Sequence, residues 1–260
     1  MIKRILCLHA HPDDAEFLVG GTLARLAALG HHVTIASMTS GDCGSDLHGP
    51  AEIAAIRREE GARAAAVIGA EYHSLGFSDL AIFIDDAARR RVTAALRRLR
   101  PDIVLTASPS DYHCDHEATS RLVTDAIFAC SAPNYLTHDF DPAPALPALP
   151  HLYYVDPAEG LDREGRVVEP HFLVDVTAEI DTKRRMLACH ASQRAWLRRQ
   201  HGMDNFIETL EQWCSARGRL AGVAFAEGFR QYTGHPYPRT PLLQELVGPE
   251  RLRTRNHPVC

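Results

Sequence analysis

The sequence predicts an α/β fold of the Rossmann-like, doubly wound type, with a mainly parallel sheet and helices on both faces. Two observations carry this prediction. Short apolar segments alternate with longer segments of helical periodicity through the first half of the chain, and polar turns follow the apolar segments. Alternation of this kind is typical of strand–helix units joined by right-handed crossovers, which form a parallel sheet covered on both faces.

The first unit illustrates the pattern. Residues 2–8 are mostly apolar, as in a buried central strand, and helical spacing begins at Glu16 and runs to a glycine that can cap it, Gly30. The same reading predicts further strands at 32–38, 71–75, 101–106, 151–155 and 171–176. It predicts further helices at 51–68, 84–99, 117–130, 178–199 and 203–217.

The whole chain, 1–260, is predicted to be one domain, because 260 residues can bury one sizeable core. Residues 131–150 contain five prolines and are predicted to form a loop. Residues 233–260 are also rich in proline and are predicted to be a tail on the surface.

Composition restricts the function. The net charge of −5 gives no reason to expect a nucleic-acid partner, and the arginines between 89 and 100 are expected on a solvated helix face. No stretch of about 18 apolar residues could span a membrane, and no signal peptide precedes the first strand, so a cytoplasmic location is expected. The seven cysteines form no C-x-x-C pair and are expected to be reduced.

The first polar turn, His11-Pro12-Asp13-Asp14, lies at the carboxyl end of the first strand, where doubly wound folds bind ligands. A dinucleotide-binding turn would carry G-x-G-x-x-G here, whereas Gly20-Gly21 comes later, inside the helix. Two adjacent carboxylates repel a phosphate and attract a divalent cation. The turn therefore favours a metal ion over a dinucleotide.

A second cluster, Asp111-Tyr112-His113-Cys114-Asp115-His116, follows the strand at 101–106. A catalytic zinc site needs about three protein ligands and an open position, and two strand-end turns can supply them together. Either turn alone is typical of an ordinary turn or helix cap. At equivalent positions in two strand–helix units, the turns indicate metal-assisted hydrolysis.

With these motifs the sequence resembles the PIG-L/LmbE-like zinc-dependent deacetylases, which remove acetyl from amides of the N-acetylglucosamine type. Ala10 to Asp14 followed by Glu16 matches the family's first motif, and His113-x-Asp115-His116 matches its second. Weaker matches, which mainly show that the resemblance is collinear, are Arg57-x-x-Glu60, Lys183-x-x-Met186-Leu187-x-x-His190-x-Ser192-Gln193 and Ala226-Glu227-x-Phe229-Arg230.

The resemblance implies a role for each matched residue. His11, Asp14 and His116 would bind Zn²⁺ or another divalent transition metal, and Asp13 would be the general base. His113 would stabilise the oxyanion or donate a proton, with its ring oriented by Asp115 or by another carboxylate. Arg57 would contact substrate oxygens, although a solvated arginine on a helix is an equally good interpretation. Cys114 is a weaker candidate ligand, because the resemblance assigns the metal ligand in that turn to His116.

These implications predict a metal-dependent hydrolase that removes acetyl from an N-acetylated amino sugar or a glucosaminide conjugate, with the metal ion activating the attacking water. An amidase acting on a larger acyl group or a thiol-sugar conjugate is the alternative within the same chemistry. A nucleotide- or sugar-binding module without catalysis is the alternative from another class. The resemblance also allows homo-oligomers, trimers or hexamers. The exact substrate and the roles of Asp42 and His190 stay open at this point.

Overall fold

The computed structural model describes residues 1–202 and 205–253, apart from the side chain of residue 201. Eight strands form one sheet in the order β3-β2-β1-β4-β5-β7-β6-β8. The strands are β1 Arg4–His9, β2 His32–Thr39, β3 Glu71–Phe77, β4 Ile103–Thr106, β5 His151–Val155, β6 Phe172–Asp175, β7 Ala226–Gln231 and β8 Leu252–Arg253. The helices are α1 Asp14–Ala28, α2 Pro50–Ala66, α3 Asp86–Leu99, α4 Cys114–Cys130, α5 Ile180–Ala188, α6 Ala191–His201, α7 Phe206–Ala221 and α8 Leu242–Val247.

The first five strands confirm the predicted doubly wound α/β fold. All four pairings from β3 to β5 are parallel, with β1 at the centre between β2 and β4. The chain moves outward from β1 to β2 and β3, and then returns to the other side of β1 as β4. The strand order therefore reverses between β1 and β4, and open α/β sheets bind their ligands at such a point.

Side chains of β1 alternate between two cores, one on each face of the sheet. Ile5 and Cys7 pack with buried residues of α1 and α8, while Leu6 and Leu8 pack with buried residues of α3 and α4. This period of two is the geometry of a pleated strand that is buried on both faces. The apolar segment at the start of the sequence is therefore apolar because neither face meets solvent.

The second half of the sheet differs from the predicted pattern. β7 pairs antiparallel with β5 and β6, and β8 pairs antiparallel with β6. Residues 226–230 carry a weak family-like motif and no predicted strand, yet they form most of β7, although Glu227, Gly228 and Arg230 interrupt the apolar pattern. These residues are accommodated in a strand because specific long-range partners surround them.

Two further predictions need correction. The helix predicted at 178–199 is two helices, since α5 ends at Ala188 and His190 caps α6 with a non-helical backbone (φ −87°, ψ 60°). The predicted surface tail is partly core, because Leu243 and Val247 of α8 are fully buried against α1. The predicted start of the next helix at 203, and the end of the tail at 254–260, lie outside the described residues.

Residues 131–150 contain neither helix nor strand, as their five prolines predicted. No helix in 1–202 or 205–253 is both long and apolar enough to cross a bilayer.

A buried ion pair joins the C-terminal half to α1. The backbone of α1 is non-helical at Val19 (φ −136°, ψ 16°), and the N–H groups of the next turn, at Gly21 and Thr22, donate to a side chain outside the helix. The Glu227 carboxylate accepts hydrogen bonds from Gly21 N at 2.9 Å and Thr22 N at 2.8 Å, and Lys183 Nζ donates to it at 2.6 Å. Close packing explains the glycine at position 21, where a Cβ would lie 2.7 Å from Val176 Cβ and 3.1 Å from Glu227 Oε1. Position 20 is also tight, because a Cβ there would lie 3.2 Å from Lys183 Cγ.

We expect Glu227→Ala to lower the free energy of unfolding by about 3–5 kcal/mol, because it leaves the buried Lys183 ammonium and two backbone N–H groups without their acceptor. Urea unfolding followed by circular dichroism measures this change. The matched control is Glu59→Ala, which removes a carboxylate 3.9 Å from Arg63 on the exposed face of α2 and should change stability little. Equal unfolding midpoints for the two variants would contradict this role of Glu227.

Candidate active site

The turn after β1 separates two adjacent carboxylates. Asp13 has a left-handed backbone (φ 97°, ψ −25°), and α1 begins at the next residue, Asp14. A positive φ is uncommon for a residue other than glycine, and its cost is usually accepted only where a function requires it. Here it directs Asp13 and Asp14 to different partners. Asp14 lies beside two histidines, and Asp13 lies beside the buried Arg57 guanidinium.

One oxygen of Asp14 connects the two motifs predicted from the sequence. Asp14 Oδ2 lies 3.5 Å from His11 Nδ1 and 3.4 Å from His116 Nε2. Two ligand atoms that are each about 2.0–2.1 Å from a tetrahedral ion are about 3.3–3.4 Å apart, so these three atoms have the spacing of a zinc-type ligand set. His11, His113 and His116 also form a group whose ring nitrogens lie within 4.8 Å of one another. The structure therefore contains a possible His/Asp metal site.

Carboxylates behind the rings orient both candidate histidine ligands. His116 Nδ1 lies 3.0 Å from Asp111 Oδ1, and His11 Nε2 lies 3.2 Å from Asp115 Oδ2. With those nitrogens as donors, the free lone pairs are on His116 Nε2 and His11 Nδ1, the two atoms that approach Asp14. His116 Nε2 is buried and has no hydrogen-bond partner among the residues described. An unpartnered buried lone pair beside a carboxylate fits a metal ligand.

The same contacts shift the pKa values of His11, His116 and Asp14. Burial lowers the pKa of His11, but its hydrogen bonds to Asp115 and Asp14 outweigh burial and raise the pKa to about 9. Burial also opposes the charged form of His116, yet Asp14 and Asp111 raise its pKa well above the usual value. The two histidines lower the pKa of Asp14 far below its ordinary range, against the effect of its burial. The pocket thus stabilises positive charge beside Asp14, as a cation site must.

Asp13 has the opposite electrostatic behaviour. Burial raises its pKa to about 6, although Arg57 and His190 act to lower it. The pKa values of these two neighbouring carboxylates therefore differ widely. The pKa of Asp14 is far below its ordinary range, and that of Asp13 is raised to about 6. A carboxylate with a pKa near the working pH is suited to accept and return a proton, and such a divergence is typical of acid–base pairs.

His113 caps α4 and has a defined tautomer. Its Nδ1 accepts a hydrogen bond from Asp115 N at 3.2 Å, which leaves the proton of the neutral ring on Nε2. Burial, followed by the charges of His11 and His116, lowers its pKa, which favours the neutral ring. The ring centroid lies 4.8 Å from that of His11. His113 can therefore present an N–H donor beside the metal site.

The orientation of His113 differs from the expected one. The Asp115 carboxylate accepts hydrogen bonds from His11 Nε2 and from Leu80 N at 2.7 Å, and the Asp115 backbone N–H orients His113. The Asp115 carboxylate was expected to orient His113, but in the structure it orients His11. Sequence spacing alone does not show this pairing, because His11 and Asp115 are 104 positions apart and meet only in the tertiary structure.

Arg57 has an environment that neither sequence interpretation described. Its exposed fraction is 3%, and its guanidinium donates to Pro12 O at 2.7 Å and Asp13 Oδ2 at 3.3 Å. A Cβ at Gly41 would lie 2.4 Å from the same guanidinium, so the glycine makes room for it. These contacts make Arg57 a support for the Pro12–Asp13 turn and correct the picture of a solvated helix face. Contact between Arg57 and substrate oxygens stays a prediction.

Other residues near the site were missed or left open. Asp111 is the main site residue that was not predicted. It lies in the turn at 111–116, where an aspartate is common for reasons of turn geometry alone. His190, left open above, is buried with its Nε2 3.5 Å from Glu16 Oε1. Asp42 joins two loops, since its Oδ1 accepts a hydrogen bond from Asp79 N, in the loop after β3, at 2.7 Å. Cys114 is exposed, with its Sγ 3.9 Å from Asp115 Oδ1.

Comparison with known proteins gives the same picture. The family model described as "PIG-L: GlcNAc-PI de-N-acetylase" matches residues 6–127, which include every predicted site residue. A diacetylchitobiose deacetylase of Thermococcus kodakarensis is 27% identical over 90% of this chain and 84% of its own length. A 4-oxalmesaconate hydratase of Pseudomonas putida is 26% identical over 74% of both proteins.

Among solved structures, an N,N'-diacetylchitobiose deacetylase from Pyrococcus horikoshii resembles this chain with a TM-score of 0.74 at 26% identity. The resemblance covers 92% of this chain and 88% of that one. Sequence motifs, fold and relatives agree in their similarity to the PIG-L family, whose model matches residues 6–127.

Proposed function

We propose that this protein is a zinc-dependent N-deacetylase that removes acetyl from an N-acetylated amino sugar or a glucosaminide conjugate. The main support is a single juxtaposition. Asp14 Oδ2 lies between the inward nitrogens of His11 and His116, and the next carboxylate along the chain, Asp13, is buried with a pKa raised to about 6. A cation-binding oxygen beside a proton acceptor is the minimum that hydrolysis of an amide by water requires.

The proposed zinc ligands are His11, Asp14 and His116. Two imidazoles and one carboxylate at tetrahedral spacing leave a fourth position open, and this donor set suits zinc better than it suits calcium or magnesium. When bound, Zn²⁺ would polarise the acetyl carbonyl and acidify a water molecule. Net positive charge remains, because only one of the three ligands is anionic.

The remaining steps belong to the side chains. Asp13 takes a proton from the attacking water while the water oxygen forms a bond to the acetyl carbon. His113 Nε2–H donates a hydrogen bond to the carbonyl oxygen as negative charge develops there. The carbon–nitrogen bond then breaks, and the proton held by Asp13 passes to the leaving amine, so acetate and a free amino sugar are released. Arg57 holds Asp13 in place through both proton transfers and favours its ionised form before the first transfer and after the second.

The substrate class rests on similarity to relatives. Two of the proteins that resemble this chain are named for deacetylation of diacetylchitobiose, an N-acetylated amino sugar. An amidase acting on a larger acyl group or a thiol-sugar conjugate would use the same residues. A binding module without catalysis would have no use for a buried Asp13 held in a strained backbone. The resemblance to a hydratase makes a second reaction class worth testing, because hydration also needs an activated water.

The decisive test is acetate release by the zinc-loaded protein. Free, phosphorylated, nucleotide-linked and glycosidic N-acetylglucosamine, together with N,N'-diacetylchitobiose, form the panel, and 4-oxalmesaconate is the hydratase control. We expect acetate from at least one amino sugar and no hydration of the control. Hydration without acetate release from any amide would overturn the proposal. We also propose a cytoplasmic location and a homo-oligomer, the latter to be measured by light scattering.

Replacing each of the adjacent carboxylates tests their division of labour. Asp13→Asn cannot accept a proton, so it should keep zinc and lose about 10²–10⁴ in kcat. Asp14→Asn should lose zinc together with activity, because two ligands hold the ion poorly against a chelator. Zinc stoichiometry and acetate release are measured on both variants side by side. If Asp13→Asn sheds the ion and Asp14→Asn retains it, the two roles are exchanged.

His113 is expected to act on the transition state and not on metal affinity. His113→Ala should lower kcat by about 10²–10³ with zinc content unchanged. His113→Gln offers an N–H donor of similar reach and should recover part of the rate. The idea fails if His113→Ala turns over at the wild-type rate.

The carboxylate behind His116 should tune metal affinity. Asp111→Ala removes the group that holds the His116 ring, and it should weaken zinc affinity by about 10–100-fold in a chelator competition. Asp125→Ala is the matched control, since Asp125 lies on α4, the helix that carries His116, and pairs with Arg121 at 3.2 Å on the exposed side. Equal zinc affinity of both variants would show that Asp111 has no such role.

A further inference from the structure

β7 brings an arginine to the edge of the sheet at which the candidate active site lies. Arg230 is paired with Tyr154 on β5, Tyr154 with Thr106 on β4, and Thr106 with Leu8 on β1. These four residues form one row across the sheet, and both turns of the site follow this row. Glu227, in the same sequence motif, holds α1, whereas the proposed mechanism gives Arg230 no role.

The Arg230 guanidinium holds the loop that follows β4. Its Nη2 donates to Ser108 Oγ at 2.7 Å, a contact between residues 122 positions apart. Ser108 is 1% exposed, and its hydroxyl donates to Ser110 O at 2.6 Å and accepts from Ser110 N at 3.3 Å. A hydrogen bond from a cation polarises the hydroxyl and strengthens the bond that the hydroxyl itself donates. One guanidinium thus fixes a bend at 108–110.

The bend leads directly into the residue that orients the proposed zinc ligand His116. Asp111 follows Ser110 and is fully buried. Its N–H donates to Glu117 Oε1 at 3.0 Å, and its Oδ1 accepts from His113 N at 3.2 Å and lies 3.0 Å from His116 Nδ1. The position of Asp111 therefore depends on the bend before it and on α4 after it. A displacement of the bend would move Asp111 away from His116.

The surroundings of Arg230 give its guanidinium a fixed orientation. The Cζ atom lies 5.9 Å from the centroid of the Tyr154 ring, and the Tyr154 hydroxyl lies 2.9 Å from Thr124 Oγ1 on α4. Arg230 Nε is buried and has no hydrogen-bond partner in the described part of the chain. Burial lowers the pKa of the guanidinium, while the charge of Asp156 acts to raise it. A cation that is largely removed from water is costly unless it is hydrogen-bonded, so the bond to Ser108 is a specific feature of this position.

We propose that Arg230 is a positioning residue for the metal site: through Ser108 it fixes the bend that keeps Asp111 behind His116. This inference rests on the proposed function, because that function makes His116 a zinc ligand. The competing role for Arg230 is direct contact between its guanidinium and an anionic group of the substrate. That role needs neither Ser108 nor an ordered bend, and the test below separates the two.

The test compares Arg230→Met, Ser108→Ala and the double variant with the wild type. Methionine keeps an apolar stem beside Tyr154 and removes the donor, whereas alanine at position 108 removes the acceptor. Each single variant should weaken zinc affinity by about three- to tenfold in a chelator competition, less than the loss expected for Asp111→Ala. The double variant should bind zinc no more weakly than the single variants, because all three lack the same bond.

A second measurement depends on neither zinc nor catalysis. Hydrogen exchange of the Asp111 and His113 amides in the metal-free protein should be about three- to tenfold faster in both single variants, although the acceptors of these amides are unchanged. Arg230→Lys still offers N–H donors and should recover most of the protection. The matched control is Arg121→Met, which removes an exposed arginine paired with Asp125 on α4 and should change neither exchange nor zinc affinity.

Three outcomes would overturn the inference. Additive losses in the double variant, or an unchanged zinc affinity in Ser108→Ala, would show that the Ser108 bond is not the link. Unchanged exchange at Asp111 and His113 in Arg230→Met would remove the positioning role. A KM that Arg230→Met raises for phosphorylated but not for free N-acetylglucosamine, with zinc affinity and exchange unchanged, would assign Arg230 to an anionic substrate group. If no amide is deacetylated, the proposed function fails, while hydrogen exchange still decides the role of Arg230.

Discussion

The shared position of Asp14 Oδ2 between His11 and His116 is the contact on which the candidate site depends. It joins a turn after β1 to a turn after β4, two segments about 100 residues apart in the sequence. The contact exists because β1 and β4 are paired in parallel, with Leu8 opposite Thr106, so their carboxyl ends meet at one edge. A sheet with another strand order would contain the same residues without the site.

The site is also supported by buried charges that have specific partners. Arg57 holds the Pro12 carbonyl and Asp13, and Asp111 and Asp115 each hold one histidine. Burying a charge is costly unless it is paired and hydrogen-bonded. The pairs therefore favour one arrangement of the ligands over others, since displacing a partner would leave an uncompensated charge in the interior.

The C-terminal half contributes to the site through α1. Glu227 on β7 and Lys183 on α5 stabilise the break in α1 at Val19, one turn after the residues that carry the proposed chemistry. The helix can thus begin with Asp14 at the metal position and still pack Leu23 and Leu26 in the core. A mixed sheet, with β7 antiparallel beside β5, is what brings Glu227 to that break.

The sequence by itself determined the parallel half of the fold, the two strand-end turns and the family resemblance. These follow from local patterns: strand, polar turn and helix are contiguous, and His11, Asp14, His113 and His116 lie in two short motifs. Only the tertiary structure decided that Asp115 holds His11, that Arg57 is buried under the turn, that 226–231 is a strand and that α8 belongs to the core. Each of these depends on partners far away in the chain and on the direction of a side chain. Periodicity and motif spacing report neither, because they describe neighbours along the chain and not neighbours in space.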